Sequence, residues 1–121
     1  MSRALPVSIS NINRKLYEVT LEWDGVLLVQ TTEVIKVPEG NGVAIWITNN
    51  TDKDVDVTFT YILGTDETFM TNMMEESVTN QQHKILGPYH QWPMFDGGKI
   101  VLTYQEAPAN GSETYIRVQE V

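Results

Sequence analysis

The chain has 121 residues, a length typical of one compact domain, and its composition excludes several classes of function. Its 16 acidic residues outnumber its 8 lysines and arginines, and the resulting net charge of −8 disfavours nucleic-acid binding through a basic face. Cysteine is absent, which excludes disulfides and every site that needs a thiolate. No apolar run approaches the ~20 residues of a membrane-spanning helix, so no membrane partner is expected.

The first residues are polar and show no periodic pattern. We interpret 1–15 as a flexible N-terminal arm and 16–121 as one folded domain. No apolar segment follows Arg3, as it would in a secretory signal. We therefore expect the protein to be made in a cytoplasm and to stay soluble.

Beyond the arm, most segments alternate apolar and polar residues, which is the pattern of a half-buried strand. The segment 17–23 is typical, because Tyr17, Val19, Leu21 and Trp23 alternate with polar residues. A short apolar run follows at 26–29, and a weak strand is predicted at 78–82. The other predicted strands are 31–37, 43–48, 55–61, 99–104 and 113–118.

Turn residues separate these runs at short spacing, as at Asp24-Gly25 and Asp96-Gly97-Gly98. Only 67–77 favours a helical turn or two. Seven or eight short strands with such turns predict an all-β domain, a single antiparallel β-sandwich of the jelly-roll or immunoglobulin-like type.

The side chains that could bind a metal are few. His83, His90 and Met94 form a plausible copper(I) ligand set, with further methionines upstream, because soft sulfur prefers that ion. The alternative, which we favour, is that the methionines fill gaps or face a partner while the histidines lie on loops. We therefore expect no metal and no cofactor.

The carboxylates do not indicate an active site either. Asp52, Asp54 and Asp56 alternate like the start of a calcium loop, but the glycine and glutamate that such a loop needs are missing. We expect all three on one solvated face. No serine has the context of a nucleophile, so we expect a protein that is not an enzyme.

Aromatic residues offer a second hypothesis. Trp23 ends an apolar strand face and is predicted to lie in the core. Trp46, Tyr89 and Trp92 could instead stack on sugar rings, as in a carbohydrate-binding or adhesin-like module. Tyr89 and Trp92 belong to 87–95, where two prolines predict a stiff loop that covers one end of the sandwich or faces a partner.

The second half of the chain carries a recognisable order of segments. A strand pair at 47–60 is split by a polar turn, and Leu86-Gly87-Pro88-Tyr89 then opens a loop. The strand FDGGKIVLTY follows, and SETYIRV forms the closing strand. This order resembles that of small β-sandwich head decoration (capsid cement or auxiliary) proteins of tailed bacteriophages. The resemblance covers about two thirds of the chain and rests on turn and strand signatures, with no counterpart for 65–80.

The resemblance implies a non-enzymatic virion protein that binds the outer capsid surface and stabilises the assembled head. Its partner would be the lattice of the major capsid protein, and stabilisation would follow from binding only the assembled form. Lattice sites of threefold symmetry favour a homo-oligomer, specifically a trimer.

We expect two contact regions. The arm 1–15 is too polar to fold alone and could order across a neighbouring molecule. A second, apolar and adaptable segment would project from the sandwich, or else tuck against its core. The candidate interface residues are Phe69, Met70, Met73, Met74, Tyr89 and Trp92.

Overall fold

The structure is a computed structural model that describes residues 15–36, 42–62, 70–89 and 97–120, with side chains at all of these except 61, 62 and 70–75. These residues form eight strands and contain no helix. The strands are β1 (Lys15–Glu22), β2 (Val29–Thr31), β3 (Val43–Asn50), β4 (Val55–Ile62), β5 (Met70–Val78), β6 (His83–Tyr89), β7 (Gly98–Tyr104) and β8 (Glu113–Glu120).

The eight strands form two four-stranded sheets in which all pairs are antiparallel. The first sheet has the order β1-β8-β3-β6, and the second has the order β2-β7-β4-β5. This interleaving of early and late strands is that of a jelly roll, in which two Greek keys build two packed sheets. The predicted β-sandwich is confirmed, and of the two types predicted the jelly roll is the one that forms.

The core lies between the two sheets, and it is formed by the side chains that alternate along the strands. In β7 every second residue from Gly98 to Tyr104 is buried, and β3 and β8 bury Ile45, Ile47 and Ile116 completely. Alternating apolar side chains therefore point inward from both sheets, as the sequence predicts. Trp23 is 1% exposed, which confirms its predicted place in the core.

Four predicted elements differ from the structure. The loop predicted at 87–95 does not begin at Gly87, because 87–89 belong to β6. The segment 67–77 is not helical where it is described, because Met70–Val78 pairs with β4 along its length and forms β5. Within the strand predicted at 78–82, Val78 is the last residue of β5 and 79–82 form a turn with Gln81 at φ 60°, so the next strand begins at His83. The strand predicted at 31–37 ends at Thr31, and only a single bridge, Ile35 to Gly98, continues it.

The open side of the sandwich between β5 and β6 is joined by an ion pair. Lys84 on β6 places its Nζ 3.2 Å from Glu76 Oε2 on β5 and also donates to the Ser77 carbonyl at 3.3 Å. Both side chains are more than one-third exposed, so the pair contributes little energy. It does place charge on two edge strands, which discourages edge-to-edge pairing with other chains.

Candidate functional site

Four consecutive apolar residues lie exposed at one end of the sandwich, where β1 connects to β2. Val26 is 77% exposed, and Leu27, Leu28 and Val29 are each between 45% and 47% exposed. We call Val26–Val29 the apolar tip. A contiguous exposed apolar run is unusual for a soluble domain and marks a contact surface more often than a packing defect.

The apolar tip has a defined backbone conformation. The Asp24 carboxylate accepts hydrogen bonds from the Val26 and Leu27 amides, at 2.9 and 2.8 Å. These bonds hold the pKa of Asp24 below its ordinary value, with the Leu27 amide contributing most. Gly25 adopts φ +84°, which a residue with a side chain would find strained. At the other end, the Leu28 carbonyl accepts the Tyr104 amide at 2.8 Å.

The base of the apolar tip is bound to the turn that precedes β8. The Trp23 amide donates to the Ser112 carbonyl at 2.9 Å, and the Trp23 carbonyl accepts from the Gly111 amide at 2.7 Å. The indole is buried against the Tyr104 ring, with 4.7 Å between ring centroids and an edge-to-face angle of 76°. The tip therefore projects from a rigid base.

A buried hydrogen-bond network lies directly beneath this base. The Trp23 indole donates to Thr114 Oγ1 at 3.0 Å, and Thr114 Oγ1 is 2.8 Å from the Tyr104 hydroxyl. The Tyr104 hydroxyl donates to Asn49 Oδ1 at 3.0 Å, and Thr51 Oγ1 is 2.7 Å from the same oxygen. Burial raises the pKa of Tyr104, so its hydroxyl stays protonated. Satisfied buried polar groups of this kind make a core rigid.

The outer face of the first sheet carries a different cluster. Trp46 lies opposite Arg117 on one side and Ile85 on the other, and all three point away from the core. The Arg117 guanidinium lies over the indole, 5.4 Å from its centroid. The His83 ring meets the indole edge-to-face at 6.4 Å and bonds to Thr48 Oγ1 at 3.0 Å.

At the rim of that face, the Tyr115 hydroxyl donates a short hydrogen bond to the Glu18 carboxylate. This bond lowers the pKa of Glu18 and raises the pKa of Tyr115. Lys15 also pairs with Glu18, at 3.1 Å. Glu18, Tyr115, Thr48 and His83 on this face are thus engaged in hydrogen bonds, and the indole face is covered by Arg117, whose buried Nε has no hydrogen-bond partner among the described residues.

The residues proposed for sugar stacking do not come together. Trp46 lies half-buried on the outer face of the first sheet, whereas Tyr89 is half-buried against the core, on the opposite face of that sheet. Burial raises the pKa of Tyr89, in keeping with this position. Trp92 lies outside the described residues.

The candidate interface at 69–74 is described only in part. Met70, Met73 and Met74 belong to β5, the edge strand of the second sheet, and their side chains lie outside what is described. Phe69 and the arm over 1–14 lie outside the described residues as well. The interface prediction at these positions stays a prediction.

Of the three residues proposed to bind copper(I), only one is described by the structure. His83 is exposed and bonded to Thr48, while His90 and Met94 lie outside the described ranges. Within 15–36, 42–62, 70–89 and 97–120, no group of three or more histidines and carboxylates is placed to hold a metal ion.

The three alternating aspartates are exposed, as predicted, although only Asp56 lies on a strand. Asp52 accepts the Ala109 amide at 2.9 Å, and Asp54 accepts the Asn80 amide at 2.9 Å. These backbone bonds lower the pKa of each carboxyl. Asp52 and Asp54 therefore order turns, whereas Asp56 lies on β4.

The sequence interpretation did not single out the apolar tip as a site. An apolar run of this length is equally consistent with a fully buried strand, so hydrophobicity alone gives no reason to expect exposure. The position of the run in the sequence could have indicated its exposure. The run begins directly after the turn residues Asp24-Gly25, and it interrupts the alternation of apolar and polar residues.

The residues on which the resemblance to decoration proteins rests include several that shape the backbone or pack in the core. Gly87 has φ +101° and precedes a cis peptide bond to Pro88 within β6. Gly98 lies so close to the Phe59 ring that a Cβ there would collide with it. Thr114 belongs to the buried network, and Val118 is completely buried. The signature thus records how this sandwich is built.

Among the described residues, no helix is long and apolar enough to cross a membrane. No family model matches the chain, and no curated protein matches it. Among solved structures, the chain is similar to one described as the crystal structure of PirA, with a TM-score of 0.56 and 13% sequence identity. The match covers 87% of this chain and 92% of that chain. At this identity the likeness shows a shared fold.

Proposed function

We propose that the protein is a non-enzymatic structural protein of a tailed bacteriophage virion that decorates the outer surface of the assembled head. The observation that carries the proposal is the apolar tip: four exposed apolar residues, held in one conformation on a rigid sandwich. A surface that is both apolar and preorganised is suited to docking on another protein, because little conformational entropy is lost on contact.

Three further features support this proposal. The resemblance of the second half of the chain is to head decoration proteins. The jelly roll is an architecture found among viral capsid and lectin domains. The net charge of −8 suits a protein that works outside a shell filled with nucleic acid and has no need to contact phosphate groups.

The mechanism in this proposal is mass action. Molecules that bind the assembled lattice and not its free subunits lower the free energy of the assembled form and so resist heat and internal pressure. Many identical copies, as homo-oligomers with trimers favoured, would add contacts between neighbouring capsid subunits. No catalytic group and no cofactor takes part.

The test is quantitative mass spectrometry on purified particles from the source culture. A copy number within a few-fold of the major capsid protein is expected for a lattice-wide role. A handful of copies per particle would move the protein to the tail or portal, and absence from particles would overturn the proposal.

The second candidate is carbohydrate binding. It is favoured by Trp46, which lies beside the exposed Ile85 on an outer sheet face. Stacking there requires Arg117 to leave the indole, so a sugar must change the fluorescence of Trp46. A glycan array that shows no ligand, together with tryptophan fluorescence that does not respond, would remove this candidate.

A further inference from the structure

Exposed carboxylates lie around the base of the apolar tip. Glu22 ends β1 and stands directly opposite Glu113, the first residue of β8, and Asp24 follows two residues after Glu22. All three side chains are exposed. We call Glu22, Asp24 and Glu113 the acidic collar. Like charges directly opposite each other on antiparallel strands destabilise the pair, so this arrangement costs the isolated protein stability.

Among the described residues, no lysine or arginine forms an ion pair with a carboxylate of the acidic collar. The ion pairs found among the described residues use Lys15 with Glu18, Lys53 with Glu106, and Lys84 with Glu76. The collar carboxylates therefore keep a negative field around an apolar surface. Because the Debye length is about 10 Å at 0.1 M salt, this field acts on any surface that approaches the tip.

The collar and the tip belong to one rigid unit. The Gln30 side chain donates to the Glu22 carbonyl at 2.8 Å and so links β2 back to the end of β1. Trp23 ties the same segment to the turn before Glu113 through the Ser112 carbonyl at 2.9 Å. An approaching surface thus meets apolar side chains and carboxylates in fixed relative positions.

These charges select among possible partners. A second copy of this chain that met tip to tip would bring two collars together, and like-charge contact of this kind is unfavourable. An anionic lipid surface repels the collar for the same reason. A protein surface with an apolar recess and a basic rim matches both parts of the site.

We propose that the apolar tip inserts into an apolar recess of the assembled head whose rim carries lysine or arginine side chains facing the acidic collar. This inference rests on the proposed function and specifies the chemistry of the partner. The tip supplies apolar contact area, and the collar supplies orientation and a faster association rate.

The test measures binding of the purified chain to heads assembled without it, which are obtained by deleting its reading frame. The tip variant Val26→Ser/Leu27→Ser is expected to weaken binding by about tenfold or more. Its matched control is Ile85→Ser, which alters an apolar side chain that is 55% exposed on a different face, and is expected to change affinity by less than about twofold.

The collar variant Glu22→Gln/Glu113→Gln is expected to slow association several-fold at low salt and to flatten its salt dependence. Its unfolding midpoint should stay equal or rise, because the opposed charges are gone. Asp56→Asn, at an exposed carboxylate of β4, is the matched control and should keep the salt dependence of the wild type. Circular dichroism checks that every variant is folded.

The outcomes separate the two proposals. If the wild type binds heads and the tip variant binds equally well, the docking inference is overturned while the decoration role stands. If the wild type binds no heads and is absent from particles, both are overturned. Tip-dependent binding to vesicles of phosphatidylcholine in place of heads, or a tip-dependent trimer, would assign the tip to a membrane or to a second copy and would also overturn the inference.

Discussion

The Tyr104 hydroxyl connects the two halves of the buried network, since it contacts both Asn49 Oδ1 and Thr114 Oγ1. Replacing Tyr104 with Phe removes this hydroxyl and leaves a buried amide oxygen with one partner fewer. We expect a loss of about 1–3 kcal/mol in the free energy of unfolding, measured by urea denaturation. The control is Tyr17→Phe at a half-buried strand position, where a change of less than about 0.5 kcal/mol is expected.

Asp24 makes the conformation of the apolar tip sensitive to acid. Its pKa is lowered in the folded protein by the Leu27 and Val26 amides. A group with a depressed folded pKa stabilises the fold above its unfolded pKa, and that contribution is lost as the pH falls through the folded value. We therefore expect the tip to lose order below about pH 4 and not at neutral pH.

The measurement is an NMR titration of the Val26 and Leu27 amides. Their chemical shifts should move together as Asp24 protonates at a pH below the ordinary carboxyl range. In Asp24→Asn, which keeps an acceptor oxygen but cannot titrate, this acid step should disappear. An unchanged step in that variant would assign the effect to another carboxyl.

At the element scale, the start of β7 packs closely against β4. Gly98 opens β7 and faces the Phe59 ring on β4, with no room for a Cβ. We expect Gly98→Ala to lower stability by about 1–3 kcal/mol, as overpacked cores do. Adding Phe59→Leu should recover part of this loss and not all of it, because it removes the ring atoms nearest the new Cβ but leaves the Thr60 carbonyl oxygen, which also lies too close. Additive losses in the double variant, measured by thermal unfolding, would contradict this account.

The elements also show what the sequence could predict. Strand β7 alternates along its whole length, and β3, β4 and β8 alternate over part of theirs, so period-two reasoning finds all four strands and predicts the β-sandwich. Strand β5 was not predicted, since the sequence MTNMMEESV has neither alternation nor β-branched residues over most of its length. Its strand conformation comes from pairing with β4, which is a tertiary effect that overrides local preference.

The position of β6 was predicted wrongly for a different reason. Its strand runs through Gly87-Pro88, residues that normally indicate a loop, while Val78 before the turn looks like the start of a strand. As an edge strand, β6 tolerates proline because only one of its sides is hydrogen-bonded within the sheet. The exposure of the apolar tip could not be predicted from the local sequence pattern either, because exposure depends on the tertiary structure around the segment.

At the scale of the molecule, the jelly roll places β1 beside β8 and β2 beside β7. The Trp23 indole bonds to Thr114, 91 residues further along the chain. Proteins dominated by such non-local pairing fold slowly, in about milliseconds to seconds. We expect stopped-flow refolding, followed by tryptophan fluorescence, to fall in that range. A microsecond phase that accounts for the full signal would contradict this expectation.

The place of β8 within its sheet has a consequence for how the chain matures in the cell. β8 lies between β1 and β3, so the first sheet lacks an interior strand until the last strand has been synthesised. Until then, the base of the apolar tip lacks its bond to Ser112, and the Trp23 indole lacks its bond to Thr114. A chain whose β8 has not yet been synthesised therefore lacks the fixed base of the apolar tip. In the docking proposed above, only molecules in which β8 has folded would compete for a place on the partner.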